Sequence, residues 1–431
     1  MAIWLLGFTF SVRDIGMITT SPRGAGELRR HGTVLIPCLA GILLSATHSY
    51  SLGVMIAPLE REFGWTRSQI SSGPLIIAII GLFAAPLVGR AVDQLGPRRI
   101  GLAGILLYCA ALGALSFATS DIASWALLWV ILGLCNMLVI PTIWTAAVTS
   151  LFVERRSIAL AITLCGASLC AAITPPLVGF LVVQNGWRGA YVGVGLIYAS
   201  VIFPLAWLFL RSATDDARRG AGVAAGSVRL ASWNASLRQG FASPAFIKLA
   251  TGVTLYALAV CALTANAVPI LVAQDFKATQ APAIAGLIGM GSLVGRLGGG
   301  YLLDRLNPHM VSAISVSTPI LSVALLLAMP GSPGAAMAAF LILGLSVGTE
   351  LDACAYLAAR HFDLRSFGTL FGAINGFLLF ANGMAPMAAN IVYDMTQSYQ
   401  IFLWAVIPMC SLSALLLLAL GTDAAATPPI A

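Results

Sequence analysis

The sequence predicts an all-α membrane protein of twelve transmembrane helices, arranged as two six-helix repeats. Three observations lead there. Of the 431 residues, 59% are hydrophobic and only 9% are charged, whereas a soluble domain carries about 25% charged residues. With a mean hydropathy of +0.94, too little polar surface remains to cover a water-facing globule, which excludes a soluble enzyme, a nucleic-acid binder and a disordered chain. The apolar residues also fall in blocks of about 20 or more, not in the alternating ten-residue segments of a membrane barrel. Finally, the last six blocks repeat landmarks of the first six.

The blocks place spans 1 to 12 at about residues 33–57, 68–92, 99–119, 122–150, 156–184, 187–211, 244–274, 280–303, 310–330, 334–358, 366–394 and 399–420. Of the 23 Lys and Arg residues, Arg61, Arg67, Arg188 and Lys277 fall on one side and Arg296 lies inside span 8. All the others fall on the opposite side, so the positive-inside rule predicts both termini in the cytoplasm of a multi-pass plasma (inner) membrane protein. The net charge of +7 therefore reports orientation. No continuous basic stripe calls for nucleic acid.

Residues 1–31 read as a cytoplasmic tail, because the apolar run Ile3 to Phe10 is too short to span and lacks the basic n-region of a secretory signal. Residues 212–243 read as a cytoplasmic linker between the halves 32–211 and 244–420, with 421–431 as a second tail. All eight cysteines lie in apolar spans without a C-x-x-C pair or a His cluster, which predicts packing residues and no metal site. A phosphate-binding G-x-x-x-x-G-K-[ST] run is absent, so ATP-driven transport lacks support. No cofactor is called for.

The repeat rests on four pairs of landmarks. Gly89-x-x-x-Asp93-x-x-Gly96-Pro97-Arg98-Arg99 after span 2 matches Gly300-x-x-x-Asp304-x-x-Asn307-Pro308-His309 after span 8, at an offset of 211. Arg156-Ser157 matches Arg365-Ser366 at 209, Pro175 matches Pro386 at 211, and Trp187 matches Tyr399 at 212. Four agreements within three residues indicate duplication.

On these residues the sequence resembles the major facilitator superfamily, whose six-helix halves surround a site near the midplane. Phe63-Gly64-Trp65-Thr66-Arg67-Ser68, Gly186-Trp187-Arg188, Gly295-Arg296-Leu297 and Phe367-Gly368 are similar to the monocarboxylate porter and oxalate:formate antiporter branch. The resemblance implies a secondary transporter, not an enzyme: a symporter of a small organic anion, monocarboxylate-like, with the proton as co-substrate, alternating access as the mechanism and a monomer as the working unit. It also implies that Arg296 holds the substrate anion. Where many members carry Asp one turn before that arginine, this chain has Ser292. By the same resemblance Gly89, Asp93, Gly96, Arg98, Arg99 and Asp304 serve conformational gating, with Asp93 meeting a helix N-terminus of the other half. The alternatives are a drug/proton efflux antiporter of the same fold and a transporter-like ligand sensor.

Few polar residues sit deep enough to serve a transport path. A charge at the bilayer centre costs about 2.5–3.5 kcal/mol on insertion scales, so it is retained where it faces a cavity or a partner. Arg296 lies about 12 Å inside from Asp304, at roughly 1.5 Å per residue, and its guanidinium fits a carboxylate bidentately; its alternative role is a structural partner for Glu350 or another helix. Glu350 and Asp352 on span 10 are the candidate proton-coupling acids, since a carboxyl removed from water favours its protonated form. The competing role for each is a buried ion pair. His48 and Tyr50 on span 1 are candidate substrate ligands, as are Asn136, Asn266 and Asn375 on spans 4, 7 and 11. Asn382 is weighed with these, against simple helix-to-helix hydrogen bonding. Trp144 has two readings, packing on substrate or on lipid.

Overall fold

The computed structural model describes residues 30–152, 155–211, 241–362 and 367–420. The tails and most of the expected linker lie outside these residues. Among the described residues, eleven helices are long and apolar enough to cross a membrane. One of them, Arg156–Phe209, carries both span 5 and span 6, because Gly186 breaks it with φ 69° and ψ 175°. Twelve crossings result. Helical geometry is obligatory here, since in lipid each backbone N–H and C=O must find its partner within the segment.

Span 1 is the helix Leu35–Phe63, ended by Gly64 at φ 67°. Span 2 opens with the short helix Arg67–Ile70, whose N-cap Thr66 forms a capping box with Gln69, and continues as Ser72–Leu95. Spans 9, 10, 11 and 12 are Pro308–Ala328, Pro333–His361, Phe367–Thr396 and Gln400–Leu418. Three more expected single helices are broken. Span 4 consists of Ile122–Asn136 and Pro141–Leu151, span 7 of Pro244–Ala265 and Ala267–Ala273, and span 8 of Ala281–Ala285 and Leu287–Arg305. In span 4, Pro141 at the first helical position cannot donate to the preceding turn.

That break explains Trp144, which packs on neither substrate nor lipid. Its side chain is fully buried and its indole Nε1 donates to the Val139 carbonyl at 2.9 Å. The ring lies against Gly41 of span 1 and Gly101 of span 3 (Pro97–Ala114), so it fills the seam between three helices while satisfying a carbonyl released by the break. Trp144→Ala is expected to cost about 3–5 kcal/mol in lost packing, read as a lower melting temperature in detergent.

The two loop copies differ for a backbone reason. Gly96 joins spans 2 and 3 at φ 83°, a conformation that L side chains rarely adopt. Its counterpart Asn307 has φ −63° and caps span 9 through its side chain, accepting from the His309 N–H at 3.0 Å. The second Gly is dispensable in that copy because the turn there is different.

Between the halves, the described contacts run from mid-span toward the end that carries Arg67. Gly53 of span 1 lies against the Ala265 carbonyl of span 7, Gly289 of span 8 against Ser168 and Ala172 of span 5, and Gly383 of span 11 against Pro74 and Ala78 of span 2. Ser292 bonds Ser168 across the same seam at 2.9 Å. Small residues let these backbones touch.

Candidate functional site

A cavity of about 570 Å³ lies midway along the bundle, walled by spans 1, 2, 4, 7 and 11. Its hydrophobic wall includes Ile77, Met137, Ile140 and Leu379, and its polar wall includes His48, Tyr50, Asn136, Thr142, Asn375 and Asn382. Such a mixture, apolar with a few placed polar groups, is the ordinary character of a small-molecule site. Both halves contribute to it.

Four of the six expected substrate ligands line this cavity: His48, Tyr50, Asn136 and Asn375. Asn136 donates to the Ser45 carbonyl at 3.2 Å, and Asn375 to the Phe371 carbonyl at 2.8 Å, which fixes both amides. Asn266 is placed elsewhere. It is fully buried at the break in span 7, where its amide donates to the Ala262 carbonyl at 3.0 Å. Asn382 also lines the cavity and accepts from the Cys261 thiol.

Arg296 is not part of that wall. It is partly buried on span 8 and interacts electrostatically with Glu350 of span 10, while both act on the Tyr50 hydroxyl. Spans 8 and 10 run with their backbones in contact, because Gly291 and Gly295 meet Leu341 and Leu345, and Gly348 meets Ser292 and Arg296. A side chain at any of these glycines would separate the two charges' helices.

Glu350 also borders a small pocket of about 10 Å³ with Val253, Tyr256, Ser312, Val316 and Leu417, room for about one water. Beside it, Tyr256 bonds Ser346 at 2.6 Å and Ser346 donates to the Ser315 carbonyl at 2.6 Å. Asp93, Asp304 and Asp352 stand on described helices, but their side chains lie outside the described residues. Of the gating set, Arg98 donates from Nη2 to the Trp207 carbonyl at 2.8 Å, so it caps the C-terminal end of span 6 in its own half. Arg99 is exposed, and Gly89 has open space on its side-chain position.

One polar cluster between the halves was not legible in the sequence. Asp394, near the end of span 11, accepts from the backbone N–H groups of Arg67 and Ser68 at 3.1 and 2.9 Å. The Arg67 guanidinium lies 3.7 Å from the centre of the Tyr393 ring, donates to the Tyr399 hydroxyl at 3.2 Å and pairs with Glu60 at 3.3 Å. Tyr399 donates to Asn390 at 2.8 Å, and Asn390 to Ser71 at 2.6 Å. The repeat pairing of Tyr399 with Trp187 was the one available signal. In the first half Trp187 and Arg188 both bind Glu62, which closes only that half.

The family model of the Major Facilitator Superfamily matches residues 38–386. The chain belongs to the Major Facilitator Superfamily. It is a multi-pass membrane transporter with two six-helix halves. Among curated relatives of this superfamily, an MFS-type transporter of Gibberella moniliformis is 29% identical over 72% of each chain. A gallate transporter of Pseudomonas putida is 24% identical over 81% of this chain and 86% of its own length. A probable sulfoacetate transporter of Cupriavidus necator is 28% identical over 44% of each chain. Among solved structures, a bacterial homologue of the human lysosomal transporter Spinster, inward-facing and unoccupied, superposes with a TM-score of 0.67 at 15% identity, covering 90% of this chain and 94% of that one. That likeness is one of fold.

Proposed function

We propose that this superfamily member moves a small carboxylate-type organic anion together with a proton, as a monomer, by rocking its two halves around the cavity between spans 1, 2, 4, 7 and 11. The observation that carries the reading is that cavity, whose polar wall is drawn from both halves. The gallate and sulfoacetate named for two relatives are both organic anions, which supports the substrate class. The distribution of Lys and Arg supports a plasma-membrane orientation with both termini in the cytoplasm.

In this reading His48, Tyr50, Asn136 and Asn375 bind the polar parts of the substrate, Arg296 supplies the positive charge and Glu350 carries the proton. Gating at the cytoplasmic end falls to Asp93 with its loop, where Gly96 turns the chain and Arg98 braces it. Exchange of labelled gallate, sulfoacetate and pyruvate in proteoliposomes, with and without a pH gradient, tests the proposal. Uptake of at least one acid, raised by an inward proton gradient, is expected. Failure with all three, combined with proton-driven export of a hydrophobic cationic dye, replaces it with the drug antiport alternative.

Arg296 has its own expected outcome. Arg296→Ala should weaken substrate binding by about 1.5–3 kcal/mol, the worth of a hydrogen bond to a charged group. Arg296→Lys should recover only part of this, because an ammonium keeps the charge and loses the two-pronged geometry. Wild-type affinity in a well-folded Arg296→Ala protein removes the arginine from the site.

A further inference from the structure

A proton carried by Glu350 needs a route to water. Along span 10, His361 at the helix end is about 16 Å from Glu350 at roughly 1.5 Å per residue, and a proton moves only between groups in hydrogen-bond reach or joined through one water. The small pocket beside Glu350 extends along that stretch. Glu350, Ala353, Cys354 and Leu357 of span 10 border it, with Ser312 of span 9 and Leu417 of span 12. Two polar atoms of span 9, one helical turn apart, are buried in this region: Ser312 Oγ and His309 Nδ1 make no hydrogen bond among the described residues. Buried groups of this kind are ordinarily satisfied by ordered water.

Two histidines stand next to the residues that border the pocket. The His309 ring bonds the backbone of Leu417, and His361 Nδ1 lies 3.0 Å from the Leu357 carbonyl. The two rings meet edge to face with their centroids 5.2 Å apart. His309 is buried and His361 half-buried, so the pair runs from the interior toward the surface at the end opposite Arg67, cytoplasmic in the proposed orientation. Imidazole takes up and releases a proton near neutral pH. Span 9 starts at Pro308 and span 10 ends at His361, so the helix dipoles oppose a cation on His309 and favour one on His361. Arg360, which also acts on the His309 ring, adds to that opposition.

We propose that His309 and His361 are the exit of a proton path that starts at Glu350 and runs through the small pocket and Ser312. The Glu350 carboxyl releases its proton to water in the pocket and is left as the carboxylate. Relay through the Ser312 hydroxyl delivers one proton to His309, which becomes the imidazolium, and His309 returns to neutral by passing that proton to His361. From there it goes to bulk water. The proposal deepens the reading of Glu350 as the proton carrier and rests on it.

The first test needs no substrate. Full-length protein in lipid vesicles is given a rapid rise in pH, and the carbonyl stretch of the protonated Glu350 carboxyl, identified by its loss in Glu350→Gln, is followed by infrared absorption. Its decay should be about tenfold slower when His309 and His361 are both replaced by glutamine. With both replaced by alanine, added imidazole should restore at least half of the wild-type rate. Ser312→Val removes the relay ahead of the pair and should slow the decay without rescue by imidazole. Decay at the wild-type rate in the double glutamine variant overturns the proposal. So does slow decay that imidazole leaves unchanged in the double alanine variant, the pattern of two rings that only pack.

A second arm measures transport of whichever of gallate, sulfoacetate or pyruvate the wild-type protein accumulates. Uptake driven by a pH gradient should slow about tenfold in the double glutamine variant while exchange at equal pH stays within about twofold, because exchange requires no release of the proton. Equal loss of both overturns the proposal. The two readings fail separately. If Glu350→Gln removes no carboxyl band, Glu350 does not carry the proton and the path loses its origin. A Glu350 band whose decay is indifferent to both histidines leaves Glu350 in its role and removes only the exit.

Discussion

Asp394→Ala is expected to open the Arg67 end of the transporter. Asp394 belongs to span 11 of the second half and accepts from the first two backbone N–H groups of span 2 in the first half. An anion at a helix N-terminus is favoured both by the unsatisfied donors and by the helix dipole. Because donor and acceptor belong to opposite halves, these bonds exist only while this end is closed. Removing a side-chain cap costs about 1–2 kcal/mol, so the ratio of open to closed molecules should rise about 5–30-fold. Cys261 lines the cavity and supplies the readout, as the rate at which a membrane-impermeant maleimide added at the Arg67 side labels it. Asp394→Asn, which keeps one accepting oxygen, should fall between. Labelling at the wild-type rate in Asp394→Ala would show that the stacking of Arg67 on Tyr393 and its bond to Tyr399 close this end without the carboxylate.

The second large effect is expected of Glu350→Gln. If this acid loads and releases the coupled proton, the amide fixes a protonated-like state. Accumulation driven by a pH gradient should then vanish while substrate exchange at equal pH survives. The neighbouring Arg296 makes an alternative outcome specific. A purely structural ion pair, once broken, destabilises by about 3–5 kcal/mol, and then abundance and melting temperature should fall while coupling in the surviving protein persists. Accumulation, exchange and melting temperature measured on the same variant separate the two. Full gradient-driven accumulation assigns the proton elsewhere, with Asp352 the next residue to replace.

How far the site was legible follows from how locally each residue's role is set. His48, Tyr50, Asn136 and Asn375 could be chosen because a polar group deep in an apolar span is anomalous without reference to any neighbour, and all four line the cavity. Asn266 satisfied the same criterion and went to the break in span 7, because a broken helix releases a carbonyl that a nearby amide can satisfy. Arg296 and Glu350 were legible as isolated charges. Their pairing was named as the alternative role of Arg296, and the close approach of spans 8 and 10 at Gly291, Gly295 and Gly348 that serves it was not legible.

The sequence by itself determined that the chain crosses a membrane as helices, how often it does so, and that the second six crossings repeat the first. Each span carries enough apolar surface to be assigned alone, and a bilayer offers no other use for such a segment than a helix with its backbone bonds closed internally. Only the tertiary structure decided which polar groups meet. Asp394 and Arg67 are 327 residues apart. Lipid is as apolar as the spans themselves, so burial does not select one helix pairing over another. The selection is made by shape, where a glycine admits a neighbouring backbone or a tryptophan fills the gap opposite, and by single hydrogen bonds between distant residues. Those are properties of two surfaces brought together, which no single span carries in its own sequence.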